Sequence, residues 1–259
     1  PPALEAVRPP SVSRHVQNDL DMLAAAGLVS PNAPRSQIAD QYRVIKRPLI
    51  ANAMGKAGTD PIPNGNLIMV TSAVSGEGKS FTALNLAMSI ATELDNTVML
   101  VDADVARPSI LRMLGLPASQ GLLDLLIDDD IDLSKVLLRT NVDKLTLLPS
   151  GTPHARATEL LASDAMSQLI SDIAKRYSDR IIIFDSPPLL LTTESRVLAT
   201  HMGQIVVVVR AESTLRADVQ HALSTIEACP VKYVVLNQAT SGMKGGYGYG
   251  YGYGYGYGQ

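Results

Sequence analysis

A single cysteine, Cys229, excludes a disulfide framework within the chain and suits a reducing compartment. Histidine is nearly as scarce. His15, His154, His201 and His221 show no metal-ligand spacing and read as surface or packing residues. No apolar run approaches the roughly 20 residues that a membrane helix needs. The run from Ile205 to Val209 is far too short. The opening residues, Pro1-Pro2-Ala3-Leu4-Glu5, place no apolar core behind a basic start, so no secretory signal is expected. A basic excess is missing too. The formal net charge of −3 gives no global field toward nucleic acid. The 259 residues fit one large α/β domain with extra terminal segments. A domain of that size buries roughly 70% of its unfolded surface and needs no staples.

Three zones are expected. Residues 1–36 form an N-terminal extension rich in proline and polar residues, with an apolar patch from Leu20 to Leu28. Residues 37–240 form the main domain. Residues 241–259 form a low-complexity tail in which Tyr247, Tyr249, Tyr251, Tyr253, Tyr255 and Tyr257 alternate with glycine.

The main domain carries short apolar runs that read as buried strands: Leu67–Thr71, Val98–Val101, Leu145–Leu148, Ile181–Phe184, Ile205–Val209 and Tyr233–Leu236. Amphipathic stretches separate them. From Thr82 to Leu94, Leu84, Ala87, Ala91 and Leu94 recur at helical spacing. Strands alternating with helices predict right-handed crossovers and a mostly parallel sheet flanked by helices. Ligands of such sheets sit beyond the carboxyl ends of the strands.

Chemistry-bearing residues cluster there. After the first run comes Ala73-Val74-Ser75-Gly76-Glu77-Gly78-Lys79-Ser80, then a helix. It matches G-x-x-x-x-G-K-[ST] with Ala at the first position. Gly76 and Gly78 let the backbone aim N–H groups at phosphate oxygens. The helix start adds its positive dipole end. Lys79 offers a charge to the β- and γ-phosphates, and Ser80 a hydroxyl to Mg²⁺. Ser75, Gly76, Glu77, Gly78, Lys79, Ser80 and Phe81 form the expected nucleotide-binding run. Within it Glu77 reads as a solvent-facing spacer.

Two further strands end in aspartate. Asp102 follows Val98-Met99-Leu100-Val101, with Asp104 two residues on, and Asp185 follows Ile181-Ile182-Ile183-Phe184. A carboxylate emerging straight from a buried strand needs a partner, and Mg²⁺ beside a triphosphate is one. On an extended chain Asp102 and Asp104 point the same way.

The segments AVSGEGKS, VMLVDADVARP and IIIFDSPP resemble the Walker A, A′ and B motifs of bacterial tyrosine kinases, which act in capsule and exopolysaccharide export. Arg14-His15 and the run from Tyr42 to Pro48 resemble the soluble subgroup associated with exosortase-type polysaccharide loci. The resemblance spans about residues 36–240 and continues in the tail. It implies a three-layer P-loop NTPase fold like that of MinD and ParA, with ATP and Mg²⁺ as cofactors. By the same resemblance Lys79 holds phosphates, and Ser80 and Asp185 serve the metal. Asp102 and Asp104 take base-like and Mg²⁺-water roles. Asn237 contacts adenine, with Arg210 near the base.

The family's E-x-x-R-x-x-R assembly motif corresponds to Asp40, Arg43 and Lys46, which share one broad helix side. Lys cannot form a bidentate fork, so that contact should be weaker. Pro48 should kink or end the helix. The partners implied are other copies of the chain, in a ring, and a transmembrane chain-length regulator that recruits a cytoplasmic kinase to the inner face of the membrane.

Glycine alternation disfavours a helix and predicts a disordered tail, which spans on the order of 55 Å when extended. That length lets the tail serve as a tyrosine substrate for a neighbouring copy. Each phosphate adds about −1.5 to −2 charges, so repulsion would disperse an oligomer. Two other functions compete. A ParA/MinD-type ATPase carries an extra lysine five residues before the main one, where Val74 stands here. A nucleotide-gated scaffold of an export complex would bind ATP without transfer. Neither uses the tyrosines.

Overall fold

Strands built from β-branched and aliphatic runs dominate the core because each is covered on both faces. The computed structural model describes residues 13–32, 36–55 and 60–239. The tail tyrosines Tyr247 to Tyr257 therefore lie outside the described residues. So do the first twelve positions.

Eight strands form one sheet among the described residues. They are β1 (Arg14–His15), β2 (Leu67–Ser72), β3 (Thr97–Asp102), β4 (Leu138–Arg139), β5 (Leu145–Leu148), β6 (Arg180–Asp185), β7 (Gln204–Arg210) and β8 (Val231–Asn237). Their order is β1-β4-β5-β3-β6-β2-β7-β8. Neighbours run parallel except β4 against β5. This is the mostly parallel α/β sheet that the alternation predicts. All six expected strands are present. β1 and β4 were not expected, since a two-residue pairing has no periodicity to read.

The two faces of the sheet hold separate cores, as period-two alternation requires. Ile68 and Val70 face α1 (Leu20–Ala25), α2 (Gln37–Met54) and α3 (Lys79–Ala91). Leu67 and Met69 face the other side, with Ile170 and Ile173 from helix Asp164–Arg176. The N-terminal segment joins the first core through Leu23, Leu28 and Val29. Asn85 of α3 fastens it, accepting the Val29 N–H at 2.6 Å.

Two helix expectations need correction. α3 ends at Ala91, and Leu94 is 86% exposed rather than on the buried face. α2 does not end at Pro48 but continues to Met54. Pro48 removes one backbone bond, but Leu49 and Ala53 beyond it are buried in the core. Their burial holds the last turns in place, and Ser36 caps the start by accepting the Ala39 N–H.

No helix among the described residues is long and apolar enough to cross a membrane.

Candidate active site

The phosphate loop follows β2 and leads into α3. Gly76 and Gly78 have φ of +85° and +92°, conformations that favour glycine. Gly78 also permits a close approach: a Cβ there would lie 2.1 Å from the Asn237 Nδ2. α3 has no side-chain cap, unlike α1 and α2. Its thirteen residues therefore present unsatisfied N–H groups and a positive dipole end at the carboxyl edge of the sheet. That is an anion site by construction.

Facing it are three carboxylates. Asp102 and Asp185 end adjacent strands and are paired in register across β3 and β6. Both are buried, Asp185 completely. The Asp185 carboxylate has the Ser80 hydroxyl at its edge and otherwise no hydrogen-bond partner. Burial pushes its pKa up to about 7, opposed by the Lys79 ammonium and raised further by Asp102. Asp102 is raised to about 6, again chiefly by burial, against hydrogen bonds from Ile110 and Ser109. Asp102 Oδ2 accepts both backbone N–H groups at 3.1 Å, while its Oδ1 is left without a partner. Asp104 turns elsewhere, onto the Lys79 Nζ at 2.6 Å. The two aspartates thus engage different partners; β3 ends at Asp102, and Asp104 opens the turn closed by the Arg107 N–H.

No group of three or more His, Cys, Asp or Glu side chains forms a metal cage among the described residues. Orphaned buried oxygens on Asp185 and Asp102, near the Ser80 hydroxyl, fit instead a Mg²⁺ ion held by few protein ligands and shared with phosphates.

Comparisons with known proteins identify the family. The family described as the AAA domain matches residues 65–236. The tyrosine-protein kinase CpsD of Streptococcus agalactiae is 33% identical over 190 residues, covering 70% of this chain and 81% of CpsD. The chain belongs to the bacterial tyrosine-kinase family. A second relative, the putative tyrosine-protein kinase EpsB of Ralstonia nicotianae, is 32% identical over 167 residues. That match covers 64% of this chain and 22% of EpsB, so the chain spans about a fifth of that relative's length. The crystal structure of the chimerical protein CapA2B2 superposes with a TM-score of 0.66 at 25% identity, covering 86% of this chain and 93% of that one.

In this member of the family Glu77 is not a solvent-facing spacer. It is 2% exposed. One carboxylate oxygen accepts the Val74 N–H at 2.8 Å. The other accepts the Arg210 N–H at 3.3 Å and the Thr214 hydroxyl. Its own carbonyl accepts from Asn237 Nδ2 at 2.8 Å. Glu77 thus ties the phosphate loop to the ends of β7 and β8. Glu77→Ala would leave buried donors unsatisfied at about 1–3 kcal/mol. A fall of several degrees in melting temperature, with weaker nucleotide binding by titration, is the expected result. The sequence gives no sign of this, because the partners lie on distant segments.

Phe81 and Asn237 line a groove of about 590 Å³ between α2 and β8. The Arg210 side chain is exposed at the end of β7 and does not line it. Of the assembly residues, Asp40 and Arg43 are exposed and paired with each other at 2.5 Å. Lys46 departs from the expected shared face. It is buried, paired with Glu93 at 2.7 Å, and donates to the Ser89 carbonyl. It serves the contact between α2 and the end of α3 rather than an outer surface.

Proposed function

We propose that the chain is an ATP-dependent tyrosine autokinase that phosphorylates its own tail tyrosines between copies. One observation carries the reading: an uncapped helix start and Lys79 face Asp102 and Asp185, buried strand-end carboxylates that form no ion pair among the described residues. Such a site is incomplete without a polyphosphate and a divalent cation.

In this scheme the amides of residues 75–80 cradle the phosphates. Lys79 leaves Asp104 to bridge the β- and γ-phosphates. Ser80 and Asp185 would hold Mg²⁺, with Asp102 and Asp104 at its edge; the ion would neutralise charge developing on the transferred group. Phe81 and Asn237 would meet the base, with Arg210 outside their groove at the end of β7. Asp102 would accept the proton of the incoming phenol late in transfer. The phenolic oxygen bonds the γ-phosphorus while the bond from that phosphorus to the β–γ bridging oxygen breaks, releasing ADP. Most of the rate comes from position and charge stabilisation.

By family likeness the substrate is the set from Tyr247 to Tyr257, and the cycle regulates exopolysaccharide synthesis or export. Asp40 and Arg43 are the exposed candidates for ring contacts. A transmembrane chain-length regulator would recruit the otherwise cytoplasmic kinase and activate it. Val74 stands where a partition-type ATPase needs its second lysine, which disfavours that alternative.

The test is incubation with ATP and Mg²⁺, with the activator present, followed by phosphotyrosine detection. Changing the six tail tyrosines to Phe should remove nearly all of the signal. A Lys79→Met chain mixed with an active chain lacking its tail should gain phosphotyrosine on its own tail. Light scattering should show smaller assemblies after ATP. Signal that survives on the six-Phe chain would move the substrate elsewhere. Absence of any signal would leave the scaffold reading.

A further inference from the structure

We propose that the stretch from Tyr247 to Tyr253 docks as a further strand along the open edge of β8 in its own chain, and that phosphorylation expels it. The inference rests on the kinase reading above only in taking this tail as the substrate. β8 ends the sheet, with β7 on one side and no strand on the other among the described residues. Such an edge pairs readily with another extended segment unless something blunts it. The usual blunting devices are absent from β8 itself. It contains no proline, and its one charged side chain, Lys232, donates back to the carbonyls of Glu227 and Cys229.

The two faces of β8 differ. Val234 and Leu236 lie on one face and are 53% and 55% exposed. Tyr233 and Val235 lie on the other, against the core shared with α2, where the Asn52 amide donates to the Tyr233 hydroxyl at 3.0 Å. On that side Ile38, Gln41 and Val44 of α2 border the edge across the groove. An added strand therefore needs bulk on one face and none on the other.

The tail sequence has that pattern. Side chains of an extended chain alternate between faces, so the tyrosines from Tyr247 onward fall on one face and the glycines on the other. Rings laid over Val234 and Leu236 cover apolar surface in cross-strand pairs and leave their hydroxyls in water. The bare face then lies toward α2. The tail is also the segment at hand, because the described residues end at Ala239, two positions after β8. Gln238 has φ +56°, a left-handed conformation that begins to turn the chain, and Gly242, Gly245 and Gly246 suit a reversal.

A chain that reverses there runs antiparallel to β8, away from the carboxyl edge of the sheet that holds the phosphate loop and Asp102. The seven residues of β8 match seven of the tail, Tyr247 to Tyr253, which include four tyrosines. Tyr253 then lies about 20 Å from that edge, at roughly 3.3 Å per residue. Tyr255 and Tyr257 overhang β8 and stay open to another copy. Docked rings on one face stand about 7 Å apart, inside the roughly 8 Å Debye length, and each phosphate brings about −1.5 to −2 charges. A phosphorylated tail therefore cannot gather on that face, and the edge of β8 is released.

The experiment is amide hydrogen exchange on the full-length chain, phosphatase-treated and free of nucleotide. Two variants serve as comparisons. One changes Tyr247, Tyr249, Tyr251 and Tyr253 to Ser, outside the folded core. The other is Val234→Glu, at an exposed position of β8. In the parent, amides of the tail stretch and of β8 should exchange at least ~10-fold more slowly than in either variant. The protection should be the same across about a hundredfold dilution, since the contact lies within one molecule. After incubation of the parent with ATP and Mg²⁺ the protection should vanish. Tyr255 and Tyr257 should acquire phosphate before the other four.

A parent tail that exchanges as fast as the four-Ser tail, with β8 unchanged between them, overturns the docking. Protection that is lost on dilution overturns the assignment to the same chain and moves the tail to the edge of a second copy. Protection that survives phosphorylation overturns the release. Exchange in the parent is read without phosphoryl transfer, so a failure of the kinase reading would show as absent phosphotyrosine and leave the docking result standing.

Discussion

Replacing Lys79 by methionine is expected to lower tyrosine phosphorylation by at least ~10²-fold, the usual scale for removing one preorganised charge from the transition state. The side chain is 15% exposed and its ammonium lies 2.6 Å from Asp104. It is therefore held at the carboxylate side of the phosphate loop before any nucleotide arrives. Methionine keeps an unbranched apolar stem but stops short of the ammonium position and brings no charge to the β- and γ-phosphates. The substitution also strips Asp104 of its partner and Asp185 of the cation that restrains its pKa. Some loss of stability will follow, because removing one member of a buried pair leaves the other uncompensated. Circular dichroism at the assay temperature separates that from catalysis. A folded Lys79→Met chain that keeps more than a tenth of the parent's phosphotyrosine would show that Lys79 is not the phosphate ligand.

A second large effect concerns Asp185 and pH. In the ligand-free chain burial raises its pKa from 3.8 to about 7. Between those values the folded chain holds a proton that the unfolded chain has released. Stability from this group is full below the ordinary carboxylate value and falls as pH rises through about 7. The shift corresponds to at most on the order of 4 kcal/mol. Asp102, raised to about 6, slopes the same way.

Asp185→Asn should therefore be more stable than the parent at pH 8, by on the order of 2–4 kcal/mol in denaturant titrations. Its stability should vary much less between pH 5 and 8. Phosphorylation should nevertheless collapse, since an amide cannot supply the anionic oxygens that Mg²⁺ prefers. Mg²⁺ with ATP should stabilise the parent more at pH 8 than at pH 5, where protons compete for the same oxygens. Parallel stability curves for parent and variant would refute the buried, unpaired state of Asp185.

Much of this architecture is legible in the chain itself. The six longer strands show as β-branched runs whose ends differ from the structure by at most two residues. The loop from Ala73 to Ser80 is legible because its glycines, lysine and serine answer a local demand. The structure departs from local rules at a few positions, most of them where a distant contact overrides the rule. Leu94 keeps helical spacing, yet Thr92 already closes α3. Pro48 breaks helices in isolation, but the burial of Leu49 and Ala53 outweighs one missing bond. Lys46 looked like a surface charge, and a buried pairing with Glu93 took it inward. Glu77 looked idle because its partners, Arg210 and Thr214, stand more than a hundred positions away.

The sequence by itself determined the phosphate loop, the succession of strands and helices, and the aspartates at strand ends. Each is set by residues within a turn or a strand of one another. Tertiary structure alone decided that Asp102 and Asp185 stand side by side, that Asp104 rather than Asp102 holds Lys79, and that β8 stands at the edge of the sheet. Those outcomes depend on strand order and on which faces are packed together. Such packing minimises exposed apolar surface over the whole chain and leaves no local periodicity to read.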